Sequence, residues 1–173
     1  MKIPSSVKKF KKQIPPLPKS IWRNPLHFIA FGFGSGALPF MPGTFGTLAA
    51  IPLYLLLQKL PLMTYVGIVI LITSFAIWLC DRVEKELKVH DHPGMNVDEI
   101  VGYLITMINA PQGWPWIIYG FLLFRLFDIW KPWPIRQVDL NVMGGFGVIL
   151  DDVLAGFYSL ICIQITLLLL AYY

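Results

Sequence analysis

D-E-I-V-G-Y-L-I-T-M-I-N-A-P-Q-G-W-P-W-I-I-Y-G-F-L-L-F-R-L-F-D, residues 98–128, encloses 25 consecutive uncharged residues (100–124) between charged groups at both ends. Its middle, Pro111-Gln112-Gly113-Trp114-Pro115, is turn chemistry. The stretch therefore predicts two apolar helices, roughly 100–110 and 116–127, folded back on each other. That fold returns Asp98 and Glu99 to the level of Arg125 and Asp128. Each helix is about 16–22 Å long at 1.5 Å per residue. A bilayer core of about 30 Å is longer, so the pair reads as tilted, partly re-entrant or enclosed by other helices. Trp114, Trp116 and Tyr119 at the turn suit an aromatic belt.

The rest of the chain repeats this pattern. Four windows without Asp, Glu, Lys or Arg (24–58, 60–80, 100–124 and 153–173) hold 102 of the 173 residues. Charged residues make up 14% of the chain, against about 25% in globular proteins, and mean hydropathy is +0.64. An ordinary soluble domain and a disordered chain are both disfavoured. Windows 153–173 and 60–80 are long enough to span, the second starting near Leu62 after Pro61. Window 24–58 is interrupted by G-F-G-S-G-A-L-P-F-M-P-G-T-F-G at 32–46. It predicts a short helix over 26–33, an irregular loop to about Thr44, and a helix over 46–59 kinked at Pro52. The expected fold is all-α: a polytopic membrane bundle of about five membrane-embedded helices plus the short, broken N-terminal one. Residues 24–173 form its single domain, and residues 1–23 form a polybasic tail.

Charge placement sets the expected topology. Residues 1–23 carry seven basic groups and no acid, while all ten acids lie between Asp81 and Asp152. A basic tail running straight into apolar windows, with no zinc-finger or RNA-binding signature, fits anionic lipid rather than nucleic acid. Placing the tail in the cytoplasm puts 13 of the 14 Lys and Arg residues on that side, with Lys59 alone outside. All ten acids fall on the same face. Prolines at 15, 16 and 18 argue against a secretory signal. Cys80 and Cys162 lack a C-x-x-C pattern and read as buried free thiols.

Five carboxylates border apolar helices at that face: Asp98, Glu99, Asp128, Asp151 and Asp152. Acids beside hydrocarbon are costly unless paired or bound to a cation. Oxygen-only ligands from three chain segments point to Mg²⁺ or Mn²⁺. The competing reading is helix capping, with Asp98 and Asp151 at N-cap positions, and ion pairing with nearby cations. Arg125 shares a helix face with Asp128. Lys131 and Arg136 follow in K-P-W-P-I-R, where prolines stop the helix and stiffen the chain. These cations suit a phosphate, or else snorkel to the interface. The Gly-rich stretches 32–46 and 144–147 offer bare backbone N–H groups to phosphate, or close helix packing. Gly43 and Thr44 are candidate substrate contacts, and Thr44 and Thr47 candidate hydroxyl ligands or helix caps. His90-Asp91-His92 reads as a solvated loop, and His27 as packed. No G-x-S-x-G, C-x₅-R, D-x-D or paired His/Arg phosphatase signature is present, so covalent Ser, Cys or His catalysis has no local support.

Those residues resemble the phosphatidylglycerophosphatase A family of bacterial membrane lipid phosphatases. The similarity runs from about Asn24 to about Tyr158. It is carried by N-P-L-H at 24–27, G-F-G-S-G…P…P-G-T-F-G at 32–46 and V-H-D-H at 89–92. It continues through D-E-I-V-G at 98–102, F-R-L-F-D-I-W-K-P-W-P-I-R at 124–136 and G-G-F-G-V-I-L-D-D-V-L-A-G at 144–156. The resemblance implies Mg²⁺-dependent removal of the terminal phosphate of phosphatidylglycerol phosphate at the cytoplasmic face of the bacterial inner membrane. Asp98, Glu99, Asp128, Asp151 and Asp152 would hold metal, and Arg125, Lys131 and Arg136 would meet the phosphoryl group. An aspartyl-phosphate intermediate stays open, as do another lipid phosphate such as phosphatidic acid and a transporter or scaffold. A transporter predicts charges at mid-depth or on both faces; a scaffold predicts no effect of magnesium.

Overall fold

The computed structural model describes residues 16–38, 40–89 and 92–172. The basic residues before position 13, and His90 and Asp91, lie outside them. Among the described residues there are seven α-helices and no strand. They are α1 (Pro25–Ala30), α2 (Pro42–Leu57), α3 (Leu62–Leu87), α4 (Val97–Thr106), α5 (Trp114–Trp130), α6 (Ile135–Asn141) and α7 (Gly144–Tyr172). Short 3₁₀ turns occupy Lys19–Trp22 and Ser35–Ala37.

Local chemistry moves several boundaries from their expected places. Helix α1 starts at Pro25, with the Asn24 side chain accepting from Leu26 N–H at 3.0 Å. Helix α2 starts at Pro42 rather than Gly46, because proline is pre-set for a first helical turn. Helix α3 continues past Cys80 to Leu87. Its charged last turns are braced by Asp81–Lys85 at 2.5 Å and Arg82–Glu86 at 2.6 Å, both spaced four residues apart. Helix α7 starts at Gly144, so G-G-F-G is its first turn and not a loop. A Cβ on Gly145 would collide with Asp81 N and Ile77 O of α3. The packing reading therefore holds there. Helix α5 ends at Trp130, just ahead of Pro132 and Pro134 as expected, but α6 was not expected: Pro134 also precedes two helical turns.

Helix α4 is the centre of the bundle. Every residue from Ile100 to Thr106 is buried, as befits a helix apolar on all sides. At ten residues it is about 15 Å long, half a bilayer core. It crosses α7 where two glycines meet. A Cβ on Gly156 would lie 2.6 Å from Gly102 O, and one on Gly102 would lie 2.8 Å from Asp152 O and collide with Phe124.

Helices α3 and α7 are long and apolar enough to cross a membrane. Their outer faces expose Met63, Ile70, Leu71, Leu168 and Leu170, apolar surface of the kind that lipid covers. Helices α2 and α5 have 16 and 17 residues, just under the roughly 20 needed to span. The chain ahead of α1 is tied to α3 by His27, which is buried as expected. Its Nδ1 meets Ser20 Oγ at 2.8 Å and its Nε2 meets Glu86 Oε2 at 3.0 Å.

The glycine crossing gives a direct test. Gly102→Ala should destabilise the protein by about 1–3 kcal/mol through overpacking, read as a lowered Tm in detergent. Gly67→Ala, on open surface of α3, should leave Tm level or raise it. Equal Tm shifts for the two would contradict the α4–α7 contact.

Candidate active site

Four helix ends converge on one cleft of about 190 Å³. The first turn of α4 brings Asp98 and Glu99, and the end of α5 brings Asp128 and Lys131. Helix α6 brings Asp139, and the third turn of α7 brings Asp151 and Asp152. All five carboxylates expected from sequence line it. Neither expected N-cap holds. Asn96 precedes α4 while Asp98 sits inside its first turn, and Asp151 lies within α7.

One oxygen from each of Asp98, Glu99 and Asp152 lies within 4.8 Å of the others. Glu99 Oε2 and Asp152 Oδ2 are buried and accept no hydrogen bond. The carboxylates of Asp152 and Asp128 stand around Glu99, with Asp98 and Arg125 also against it. Such a cluster is short of positive charge. Two buried acceptors without donors, in an all-oxygen set, match a hard divalent cation.

Asp128 and Asp151 reach the cleft already paired. Arg125 Nη1 donates to Asp128 Oδ2 at 2.6 Å and stands 4.0 Å from Glu99 Oε1. Lys131, the left-handed cap of α5 with φ 46°, donates to Asp151 Oδ2 at 2.5 Å and Asp139 Oδ1 at 2.8 Å. Burial alone would lower the Lys131 ammonium, but these two carboxylates outweigh it and raise it.

The remaining candidates separate. Gly43 backs the cluster: a Cβ there would strike Glu99 Oε1 and come within 2.9 Å of Arg125 Nη1. Thr44 follows it in the first turn of α2 without lining the cleft, and Thr47 Oγ1 is spent on Gly43 O at 2.9 Å. Arg136 is exposed on α6, in an adjoining groove rather than the acid cleft.

Sequence reasoning missed Asp139 and Asn96. Asp139 borders no charge-free window, and only the bend after Lys131 returns it to that ammonium. Asn96 carried a weak signal, a capping residue just before an apolar run. It is wholly buried. Its Nδ2 donates to Ser35 Oγ at 3.0 Å and Pro42 O at 3.1 Å, and its backbone N–H to Ala30 O at 3.1 Å. Gly32 and Gly46 pack against its side chain. The stretch 32–46 thus wraps the start of α4 instead of lying open as an anion loop. His92 is also buried, 5.1 Å from the Phe31 ring, with Nδ1 accepting from Gly94 N–H. The solvated reading fails for it, because the same loop folds in over α1.

The phosphatidylglycerophosphatase A family profile matches residues 28–167. Phosphatidylglycerophosphatase A of Escherichia coli strain K12 is 46% identical over 137 residues, covering 79% of this chain and 80% of that protein. The Haemophilus influenzae protein of the same name is 41% identical over 150 residues, covering 86% and 92%. A Bacteroides thetaiotaomicron protein with the provisional name phosphatidylinositol-3-phosphatase is 43% identical over 145 residues, covering 79% and 90%. No solved structure matches the chain.

Asn96→Ala should remove two side-chain hydrogen bonds and cost about 1–3 kcal/mol. A lowered Tm and earlier proteolysis between residues 32 and 46 would report it. An unchanged cleavage pattern would contradict Asn96 as the tie between that stretch and α4.

Proposed function

The chain belongs to the phosphatidylglycerophosphatase A family and is a phosphatase; from that premise we propose that it removes the terminal phosphate of phosphatidylglycerol phosphate, with Mg²⁺ as cofactor, at the cytoplasmic face of the bacterial inner membrane. The observation that carries the metal is the cluster of Asp98, Glu99 and Asp152, with two buried oxygens that no donor satisfies. These three residues would hold the ion, and Asp128 and Asp151 would complete its surroundings. Bound Mg²⁺ supplies Lewis acidity toward phosphoryl oxygens and toward water.

The chain's own groups do the rest. Lys131 lines the cleft, and its carboxylate partners keep it protonated at neutral pH. It presents a fixed positive charge to the phosphoryl group, where charge shifts during transfer. Arg125 holds Asp128 in place and adds a second positive charge beside Glu99. Glu99 Oε2 and Asp152 Oδ2 are out of reach of solvent, and burial strengthens interactions made at those atoms.

Placement at a membrane face rests on helix direction. The charged residues sit at the C-terminal ends of α3 and α5 and the N-terminal ends of α4 and α7, so they share one end of the bundle. In this reading α2, α3, α4, α5 and α7 are embedded, and α4 is enclosed by protein. With the acids gathered at that end and Lys59 alone between α2 and α3 at the other, the charge distribution disfavours a transporter.

The deciding assay supplies purified protein in detergent with phosphatidylglycerol phosphate or phosphatidic acid, with Mg²⁺ or with chelator. Phosphate should be released from phosphatidylglycerol phosphate, and chelation should abolish release. Release from neither lipid would overturn the function, and undiminished release under chelation would overturn the cofactor. Glu99→Gln and Asp152→Asn should each lower kcat/KM by at least about 100-fold. Full activity in both would remove the metal cluster from the reaction.

A further inference from the structure

We infer that the groove formed by Trp130, Trp133, Arg136 and Leu140, beside the acid cleft, is a second anion subsite that takes the phosphodiester of an anionic glycerophospholipid. The inference rests on the functional reading above and adds to it the part of the lipid that does not react. Lys131 lines both cavities, so the two adjoin through one side chain. The groove has a volume of about 460 Å³. Phosphatidylglycerol phosphate carries two phosphates separated by one glycerol. A site that seats only the terminal one would leave the inner phosphodiester charge at the edge of hydrocarbon.

Arg136 is suited to that charge. The two cations nearest the cleft, Arg125 and Lys131, are matched by carboxylates, whereas among the described residues Arg136 makes no ion pair. Its guanidinium is therefore available for a fork contact with phosphate oxygens. Its carrier is held firmly: the neighbouring Ile135 is fully buried, and Tyr158 Oη donates to Trp133 O at 3.0 Å. The walls suit the headgroup level of a membrane. Trp130, Trp133 and Leu140 are 68%, 73% and 71% exposed, an arrangement costly in water and favourable at an interface. Free phosphate offers Arg136 the same oxygens but no apolar body for the two indoles, so the walls favour a lipid.

Two arms test this with the full chain in neutral detergent. In the first, native mass spectrometry measures retention of added phosphatidylglycerol, which has the phosphodiester but no terminal phosphate. Wild type should retain it in preference to phosphatidylcholine, and Arg136→Gln and Trp133→Ala should weaken retention about tenfold. In the second, kcat/KM for phosphatidylglycerol phosphate is divided by that for phosphatidic acid, whose one phosphate is the reacting one. Arg136→Gln should lower this ratio about tenfold, mainly through KM, and Arg136→Lys should recover part of it. Unchanged retention in Arg136→Gln overturns the subsite, and so does an unchanged ratio in active enzyme. Displacement of the lipid by inorganic phosphate, with no preference over phosphatidylcholine, would make this a free-anion site and also overturn it. If wild type hydrolyses neither lipid, the functional reading fails by itself, and the retention arm still decides the subsite.

Discussion

A helix with no polar side has to be enclosed, and most of this architecture follows from enclosing α4. Ten residues cannot cross a bilayer and cannot face water when everything from Ile100 to Thr106 is apolar or small. The longer helices supply the wrapping. Glycines at 102 and 156 let α7 approach until backbone meets backbone, and Tyr65 Oη of α3 donates to Leu104 O across the interface. Enclosure also carries the first turn of α4 inward. Asp98 and Glu99 thereby arrive at a depth that unaided carboxylates avoid.

That depth governs the electrostatics. Three segments deliver acids to one cleft, and the structure treats them unequally. Asp128 and Asp151 receive a guanidinium and an ammonium at hydrogen-bonding distance. Glu99 and Asp152 each keep a buried oxygen that accepts no hydrogen bond, in a cluster completed by one oxygen of Asp98. A uniformly neutralised cluster would be an ordinary ion-pair network. Unequal neutralisation leaves a defined deficit of positive charge, with fixed cations around it. Metal-assisted phosphoryl transfer, the reaction proposed above, uses such a division between a place for a cation and fixed cations beside it.

Much of this was legible in the chain. The break at Pro111–Pro115 and the acids bordering apolar windows are enough to bring five carboxylates to one face, and folding gathers them in one cleft. What stayed hidden depends on packing that periodicity does not encode. G-G-F-G at 144–147 carries the composition of a loop, yet it is helical because α3 offers a backbone surface that only glycine can approach. Pro134 looks like a stop, yet an N-terminal proline is compatible with starting a helix, and that helix brings in Asp139. Asn96 and His92 look like polar loop residues, but the loop folds in against α1 and α2. Arg136 was grouped with Lys131 by proximity in sequence, although it lines only the outer groove, whereas Lys131 lines both that groove and the acid cleft.

The ammonium of Lys131 binds a carboxylate 8 residues ahead of it and another 20 residues ahead. The chain from Lys131 to Asp151 holds all of α6 and every residue of the groove except Trp130. A single nitrogen therefore works as a staple: it closes a 20-residue excursion on itself and fixes a surface feature to the reaction chamber. Loop closure of that length has a real entropic cost, offset here by a nitrogen that also lines the acid cleft. Any incoming anion that draws the nitrogen toward itself must compete with the two carboxylates that clasp the excursion.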